Sequence, residues 1–163
     1  MKELKIFGKN VEVEEIRSDK DLVEFRDGRI VVSTCRRQAT SLLKEFLENL
    51  LYSQIWNVYE DMRNEGKIDL FGDLDFEVLE KIDDRKDRIA KLKGNKILVK
   101  LNAVTPPESA LKYVIAHEIA HIFTKRHSKR FWRIVQTIYP GFKDGENLFA
   151  EYRSLLIKPL EIE

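Results

Sequence analysis

The chain has little cysteine and no long apolar run, and each shortage excludes a class of protein. The single cysteine in 163 residues, Cys35, cannot form an intramolecular disulfide, which excludes a disulfide-stapled secreted domain and fits a reducing cytosol. No apolar stretch approaches the roughly 20 residues that cross a bilayer, and no basic-then-apolar leader with a small-residue cleavage site is present. We therefore expect a cytoplasmic protein that does not contact the membrane.

An excess of either charge is also lacking. The 29 lysines and arginines nearly balance the 28 aspartates and glutamates, which leaves a net charge of +1. Such balance argues against a surface that binds nucleic acid in general, and it leaves no charged tail to explain. The length is that of one domain with its own core, so we predict a single domain over residues 1–163.

All three histidines lie in one short stretch, and two of them flank a glutamate in the pattern H-E-x-x-H. A helix turns by about 100° per residue, so His117 and His121 share one face one turn apart and can bind one metal ion, with Glu118 beside that face. A zinc ion held by neutral imidazoles lowers the pKa of a bound water to near 7, and an adjacent carboxylate can take its proton and later deliver it to a leaving group. This is the arrangement of a zinc metalloprotease.

A catalytic zinc normally has three protein ligands, so a third one must be found. His127 is the first candidate, but a continued helix would carry it about 240° round the axis from His121 and roughly 9 Å along. We therefore predict that the helix ends near residues 123–125 and that a tight turn brings His127 back at the start of a new helix, 128–138, closed by Pro140-Gly141.

A glutamate on a later helix is the alternative third ligand. Glu151 fills that role in the pattern of another zincin class, or it accepts a hydrogen bond from an imidazole N–H. Motif spacing favours His127 over Glu151.

The run from Ala110 to Trp132 resembles a known family. Its H-E-x-x-H, third histidine and aromatic pair Phe131-Trp132 are similar to the YgjP-like family of metal-dependent hydrolases, which is related to the SprT-like and WLM proteases that include the DNA–protein crosslink protease Spartan. Members of that family often carry a Trp-Gly-Ser-Cys segment where this chain reads 90–95. The resemblance implies the fold of a minimal zincin, a catalytic carboxylate at Glu118, and three zinc ligands, His117, His121 and His127.

Apolar periodicity and turn residues predict an α+β domain. A small, mostly antiparallel sheet packs against a long helix and the H-E-x-x-H helix, followed by C-terminal helices. The predicted segments are N-terminal β segments over 1–35, a long helix over 37–65 stopped by Gly66, sheet over 76–101, the H-E-x-x-H helix over 105–124, and C-terminal helices over 128–157.

Individual strands and turns are predicted within these segments. Asp27-Gly28 indicates a type I′ hairpin, Gly94-Asn95 a type II′ hairpin, Thr105–Glu108 a capping box, and Asp144 the cap of a helix over 146–157. The resemblance to zinc proteases implies that the strand 96–101 lies at the edge of the cleft and pairs with an extended substrate. The predicted strands are 3–7, 11–16, 22–26, 29–33, 76–82, 88–93 and 96–101.

Two functions from different classes remain open at this point. The first is a zinc-dependent metallopeptidase that cleaves a protein or peptide through a metal-activated water, with Glu118 as general base, and a DNA-associated substrate is a further option. The second is a non-enzymatic zinc module that binds nucleic acid or a partner protein through the basic segment 125–133, although a solvated basic face is the default interpretation of that segment. No further cysteine or histidine near the motif could close a structural site, which favours the open, catalytic one.

Overall fold

The computed structural model describes residues 2–65, 73–160 and 162, and it confirms the α+β class. Seven strands form two small sheets in these ranges, and five α-helices surround them. No helix in the described ranges is both long and apolar enough to cross a membrane. The predicted stop of the long helix at Gly66 lies outside the described residues.

The first sheet contains four strands in the order β1-β2-β4-β3. The central pair, β2 and β4, is parallel, whereas both outer pairs are antiparallel. Asp27 and Gly28 both have positive φ, 53° and 77°, which confirms the type I′ hairpin. Phe7 and Gly8 connect the first two strands with positive φ as well, and Gly8 packs so closely on Pro107 that a Cβ there would clash. The strands are β1 Lys2–Ile6, β2 Lys9–Arg17, β3 Leu22–Arg26 and β4 Arg29–Thr34.

The long helix α1 spans Ala39–Asn64, as predicted to within two residues. Its buried side chains recur at steps of three and four residues, the spacing that places them on one face of a helix. That face contacts β4 of the first sheet, strand β5 (Asp75–Leu79) of the second, and the histidine-bearing helix. The buried residues are Leu42, Leu43, Leu47, Leu51, Ile55, Val58, Tyr59 and Met62.

The second sheet corrects the prediction about which strand borders the cleft. It contains β5, β6 (Ala90–Lys93) and β7 (Lys96–Lys100) in the order β5-β7-β6. The strand expected at the edge, β7, is paired on both sides, parallel to β5 and antiparallel to β6. Its Ile97 and Val99 are fully buried, which fits a central strand, so the edge strands are β5 and β6, and β6 is the one that lines the cleft. Gly94 has φ of 63° and Asn95 does not have positive φ, as the type II′ turn requires.

The histidine-bearing helix α2 spans Glu108–Phe123, so the capping box at Thr105 is wrong. Pro107 is the N-cap in an extended conformation and makes no side-chain cap bond. The cause is the proline pair, since Pro106 precedes a proline and is therefore biased away from the helical region. Thr105 instead follows a 3-10 turn over Leu101–Val104.

The last turn of α2 is less buried than the turns before it. Ile122 and Phe123 are apolar, but they are 39% and 43% exposed. The chain leaves the helix at Thr124 in an extended conformation, so no following element covers these two side chains.

Three shorter helices complete the fold. The helix α3 spans Lys129–Ile138, within one residue of the prediction, and its N-cap is Ser128, whose side chain accepts a hydrogen bond from the backbone N–H of Phe131. The predicted final helix 146–157 is wrong, because the chain forms α4 (Phe142–Glu151) and α5 (Arg153–Ile157). Asp144 lies in the first turn of α4 and does not cap it, since the helix already begins after Gly141.

Gly145 on α4 allows the close approach of α4 to α2. A Cβ at this position would clash with the carbonyl oxygen of Ser109 and lie 2.9 Å from the Cβ of Tyr113. We therefore expect Gly145→Ala to lower the free energy of unfolding by about 1–3 kcal/mol, the usual cost of overpacking a tight contact. Chemical denaturation measures this change. Asn147→Ala on the exposed side of the same helix is the control, expected within about 0.5 kcal/mol of wild type, and equal stability of the two variants would contradict the tight contact.

Candidate metal centre

The structure brings the three histidines together from two elements. His117 and His121 lie one turn apart on α2, and His127 lies in the turn that precedes α3. One possible ligand atom from each side chain lies within 4.8 Å of those of the other two. Among the described residues, no other histidine, cysteine or acidic side chain belongs to this cluster.

The return of His127 depends on how α2 ends. The helix stops at Phe123, and Thr124 is extended, with φ of −155° and ψ of 136°. Ser128 then begins α3, so only a short turn separates the last residue of α2 from His127. The predicted helix end and tight turn are thus confirmed.

The nitrogen atoms of His121 and His127 face each other in a way that suits a cation. The Nε2 atoms of the two rings are 3.2 Å apart. The Nδ1 atom of His121 is 3.2 Å from the carbonyl oxygen of Thr124 and donates to it, which leaves its Nε2 with a lone pair. Two nitrogen ligands of a tetrahedral zinc ion are about 3.3 Å apart when each Zn–N bond is about 2.0–2.1 Å. The donor set therefore fits a divalent metal bound by imidazoles.

The three imidazole rings pack against two aromatic side chains, Phe131 and Trp132. Phe131 is fully buried, and its ring centroid lies 5.0, 4.7 and 4.8 Å from those of His117, His121 and His127. Trp132 lies 6.2 Å from the rings of His117 and His127. Loss of hydration lowers the pKa of His127, and charge on the other two histidines lowers it further, which favours the neutral ring that metal binding needs.

A carboxylate lies beside the cluster. Glu118 is only 8% exposed, and its Oε1 is 3.5 Å from the Nδ1 of His117. Both residues line an open cleft of about 770 Å³ together with the other two histidines. The one acidic side chain next to the three imidazoles thus faces the space in which a substrate would bind.

Two other residues, the alternative ligand Glu151 and the nearby Tyr113, have different surroundings. Glu151 is exposed at the end of α4 and is not part of the histidine cluster. Tyr113 lies on α2 one turn before His117, and its hydroxyl donates to the Oε2 of Glu146 at 3.3 Å. Burial and the charge of Glu146 raise the pKa of Tyr113 to about 12, so the phenol keeps its proton.

Sequence reasoning missed the wall of the cleft opposite α2. It consists of β6 and of the charged loop before it, which includes Arg85, Asp87 and Arg88. The closely spaced charges of residues 83–88, directly before an edge strand, are the sequence signal that could have predicted this wall. From this region the sequence analysis predicts only the strand 88–93. The segment 90–95, where the sequence departs from the family pattern, is largely β6 itself.

Comparison with known proteins agrees with this site. Residues 84–152 match the family model described as YgjP-like, metallopeptidase domain. No curated protein and no solved structure is significantly similar to the chain. The matched range includes β6, β7, α2 and α3, and with them all three histidines and Glu118. The resemblance inferred from the sequence is confirmed, since the part of the chain that builds this site matches the model of that family.

Proposed function

We propose that the protein is a zinc-dependent metallopeptidase that hydrolyses peptide bonds. His117, His121 and His127 hold the metal, and Glu118 is the general base. The observation that supports this most is the convergence of three imidazoles from α2 and the following turn, beside a buried carboxylate and at the wall of a cleft. The family match independently supports a metallopeptidase.

Each residue has a separate task in this proposal. When bound, zinc lowers the pKa of water to about 7 and polarises a carbonyl group as a Lewis acid. Glu118 takes the proton of the attacking water and delivers it to the departing amine, and its burial keeps it poorly hydrated and close to the reacting groups. His121 is held in the required tautomer by the carbonyl oxygen of Thr124.

The substrate binds along the free edge of β6. This strand is paired on one side only, to β7, and its residues Ala90, Lys91 and Leu92 line the cleft. An extended peptide can add to such an edge through backbone hydrogen bonds, which places its carbonyl groups across the cleft from α2. We thus assign to β6 the role that the sequence suggested for β7.

Removal of the metal tests the proposal. Treatment with a chelator is expected to reduce cleavage of an unfolded protein substrate to background, and one equivalent of zinc per chain is expected to restore it, because the three imidazoles supply no catalysis of their own. Cleavage products are followed by mass spectrometry, and metal content is measured on the same samples. Full activity in protein shown to be free of metal would contradict the proposal.

The non-enzymatic alternative is favoured by one observation. Five cationic side chains after α2 and on α3 are exposed, and none makes an ion pair in the part of the chain that the structure describes. The same cleavage assay with and without single-stranded DNA separates the two functions. Salt-dependent DNA binding without cleavage of any unfolded substrate would favour the alternative. The five residues are Lys125, Arg126, Lys129, Arg130 and Arg133.

A further inference from the structure

We propose that the cleft selects peptide segments rich in acidic residues. The inference rests on the proposed function and adds the class of substrate. Five cationic side chains line the cleft, whereas only two carboxylates, Asp87 and Glu118, do so. The whole chain has a net charge of only +1, so positive charge is concentrated at this site. The cationic residues are Arg85, Arg88, Lys91, Lys125 and Arg153.

The ion pairs around the cleft compensate this positive charge only in part. Asp87 is shared between Arg85, at 3.4 Å, and Arg153, at 3.9 Å. Asp83 is likewise shared by two cations, Arg88 at 2.9 Å and Lys91 at 4.0 Å. Two carboxylates are therefore shared in ion pairs by four cations.

The fifth cation has no such partner. Lys125 is exposed, and within the described ranges it makes no ion pair. An acidic substrate would thus meet one cation without an ion-pair partner among the described residues and four cations that share two carboxylates.

The backbone that carries two of these cations is also held in place before a substrate arrives. Lys100, buried at the end of β7, donates from its Nζ to the carbonyl oxygen of Lys86 at 3.1 Å. Its backbone N–H donates to the carbonyl oxygen of Ile89 at 2.7 Å. These two bonds anchor the loop that carries Arg85 and Arg88, so less conformational entropy is lost when an anion binds there.

The cations come from several elements around the cleft. Arg88 and Lys91 belong to the β6 wall, Arg153 at the start of α5 lies 3.9 Å from Asp87 of that same wall, and Lys125 follows α2. An extended chain added to β6 directs successive side chains to opposite faces, so acidic side chains at neighbouring positions can reach different cations.

A polypeptide fits this cleft better than a nucleic acid does. The edge of β6 offers backbone hydrogen-bonding groups that match another extended polypeptide. Asp87 and Glu118 both face the same space, and they would repel a backbone that carries a phosphate at every nucleotide. An acidic peptide can place neutral residues opposite these two carboxylates.

Binding without turnover tests the proposal. Fluorescence anisotropy with the full-length Glu118→Gln protein compares three labelled peptides of equal length, one acidic, one neutral and one basic. We expect the acidic peptide to bind about tenfold more tightly than the neutral one at low salt, with the difference shrinking as salt screens the charges. Equal binding of the three peptides would overturn the proposal, as would tighter binding of single-stranded DNA that displaces the acidic peptide.

Charge-reversed variants of Lys91 and Arg153 test whether these cations cause the preference for acidic peptides. We expect Lys91→Glu combined with Arg153→Glu, both on the Glu118→Gln background, to weaken acidic-peptide binding about tenfold or more and to improve binding of the basic peptide. Arg130→Glu on α3, outside the cleft, is the matched control and should leave the preference unchanged. Lys91→Gln with Arg153→Gln repeats the test with a milder change if the reversed protein does not fold. An unchanged preference in a folded double variant would overturn the proposal.

This binding test is separate from the test of the activity. Cleavage of a neutral unfolded protein by the wild-type chain reports on the metallopeptidase alone. Cleavage without a preference for acidic peptides would overturn only the proposed substrate class and leave the proposed activity standing. Absence of cleavage together with acidic-peptide binding would remove only the proposed activity.

Discussion

Glu118→Gln is expected to retain the metal and to reduce hydrolysis by roughly a hundredfold to ten-thousandfold, the range that one general base contributes. The amide has nearly the shape of the carboxylate, so the packing around this buried side chain should persist. The amide of glutamine, however, cannot accept the proton of the attacking water. The cleavage rate on an unfolded substrate is the measurement, and metal content per chain shows that the site itself is intact.

The matched control for this variant is another carboxylate. Glu146→Gln changes the partner of Tyr113 rather than a group next to the histidines, so its effect on the rate should be much smaller. Unchanged turnover of Glu118→Gln at full metal content would remove Glu118 from the mechanism. A loss of metal in that variant would assign Glu118 a structural role instead.

His127→Ala is expected to weaken zinc binding by more than the roughly 10- to 100-fold that loss of an outer-sphere partner causes. The reason is that its Nε2 lies 3.2 Å from that of His121, the separation of two ligands on one ion. Alanine also leaves α2 and its two histidines unchanged, so the variant reports on the third ligand. Competition with a metal-binding dye measures the affinity.

Glu151→Ala is the control for the third ligand. Glu151 is exposed and lies outside the histidine cluster, so its removal should change zinc affinity far less. The reverse order, with Glu151→Ala the more damaging change, would place the site in the zincin class that uses a glutamate on a later helix.

Much of the candidate site could be predicted because it depends on local geometry. The spacing of His117 and His121 needs only the pitch of a helix, and the same arithmetic shows that His127 can join them only if α2 ends before it. A helix end near residues 123–125 and a new helix from residue 128 followed from that requirement, and the structure ends α2 at Phe123 and begins α3 after Ser128. Metal ligation and the role of Glu118 stay predictions that the experiments above test.

The arrangement of the strands could not be predicted in the same way. Periodicity shows which residues of a strand are buried, but it does not show which strands are neighbours or whether they run parallel. The resemblance to zinc proteases implies β7 at the cleft edge, and nothing in the sequence shows that it pairs with both β5 and β6. The parallel pairing of β2 with β4 was not foreseen either, since it joins strands that are not consecutive in the chain.

Some contacts in the site have no signature in the sequence. The carbonyl oxygen that orients His121 belongs to Thr124, and any residue type would provide such an oxygen. The start of α2 was misplaced because a threonine-proline start with a following glutamate is a strong local signal, while the second proline, Pro107, shifts the first helical residue to Glu108. The first outcome depends on backbone conformation alone, whereas the second depends on the proline pair, whose effect outweighs the capping signal.

The most direct test of three imidazoles binding one ion is a crystal structure of the zinc-loaded protein with anomalous scattering measured at the zinc edge. We expect one zinc ion per chain, with a nitrogen atom of His117, His121 and His127 each at about 2.0–2.1 Å and no fourth protein ligand. Zinc bound elsewhere, or with the ring of His127 turned away and a carboxylate in its place, would contradict the account.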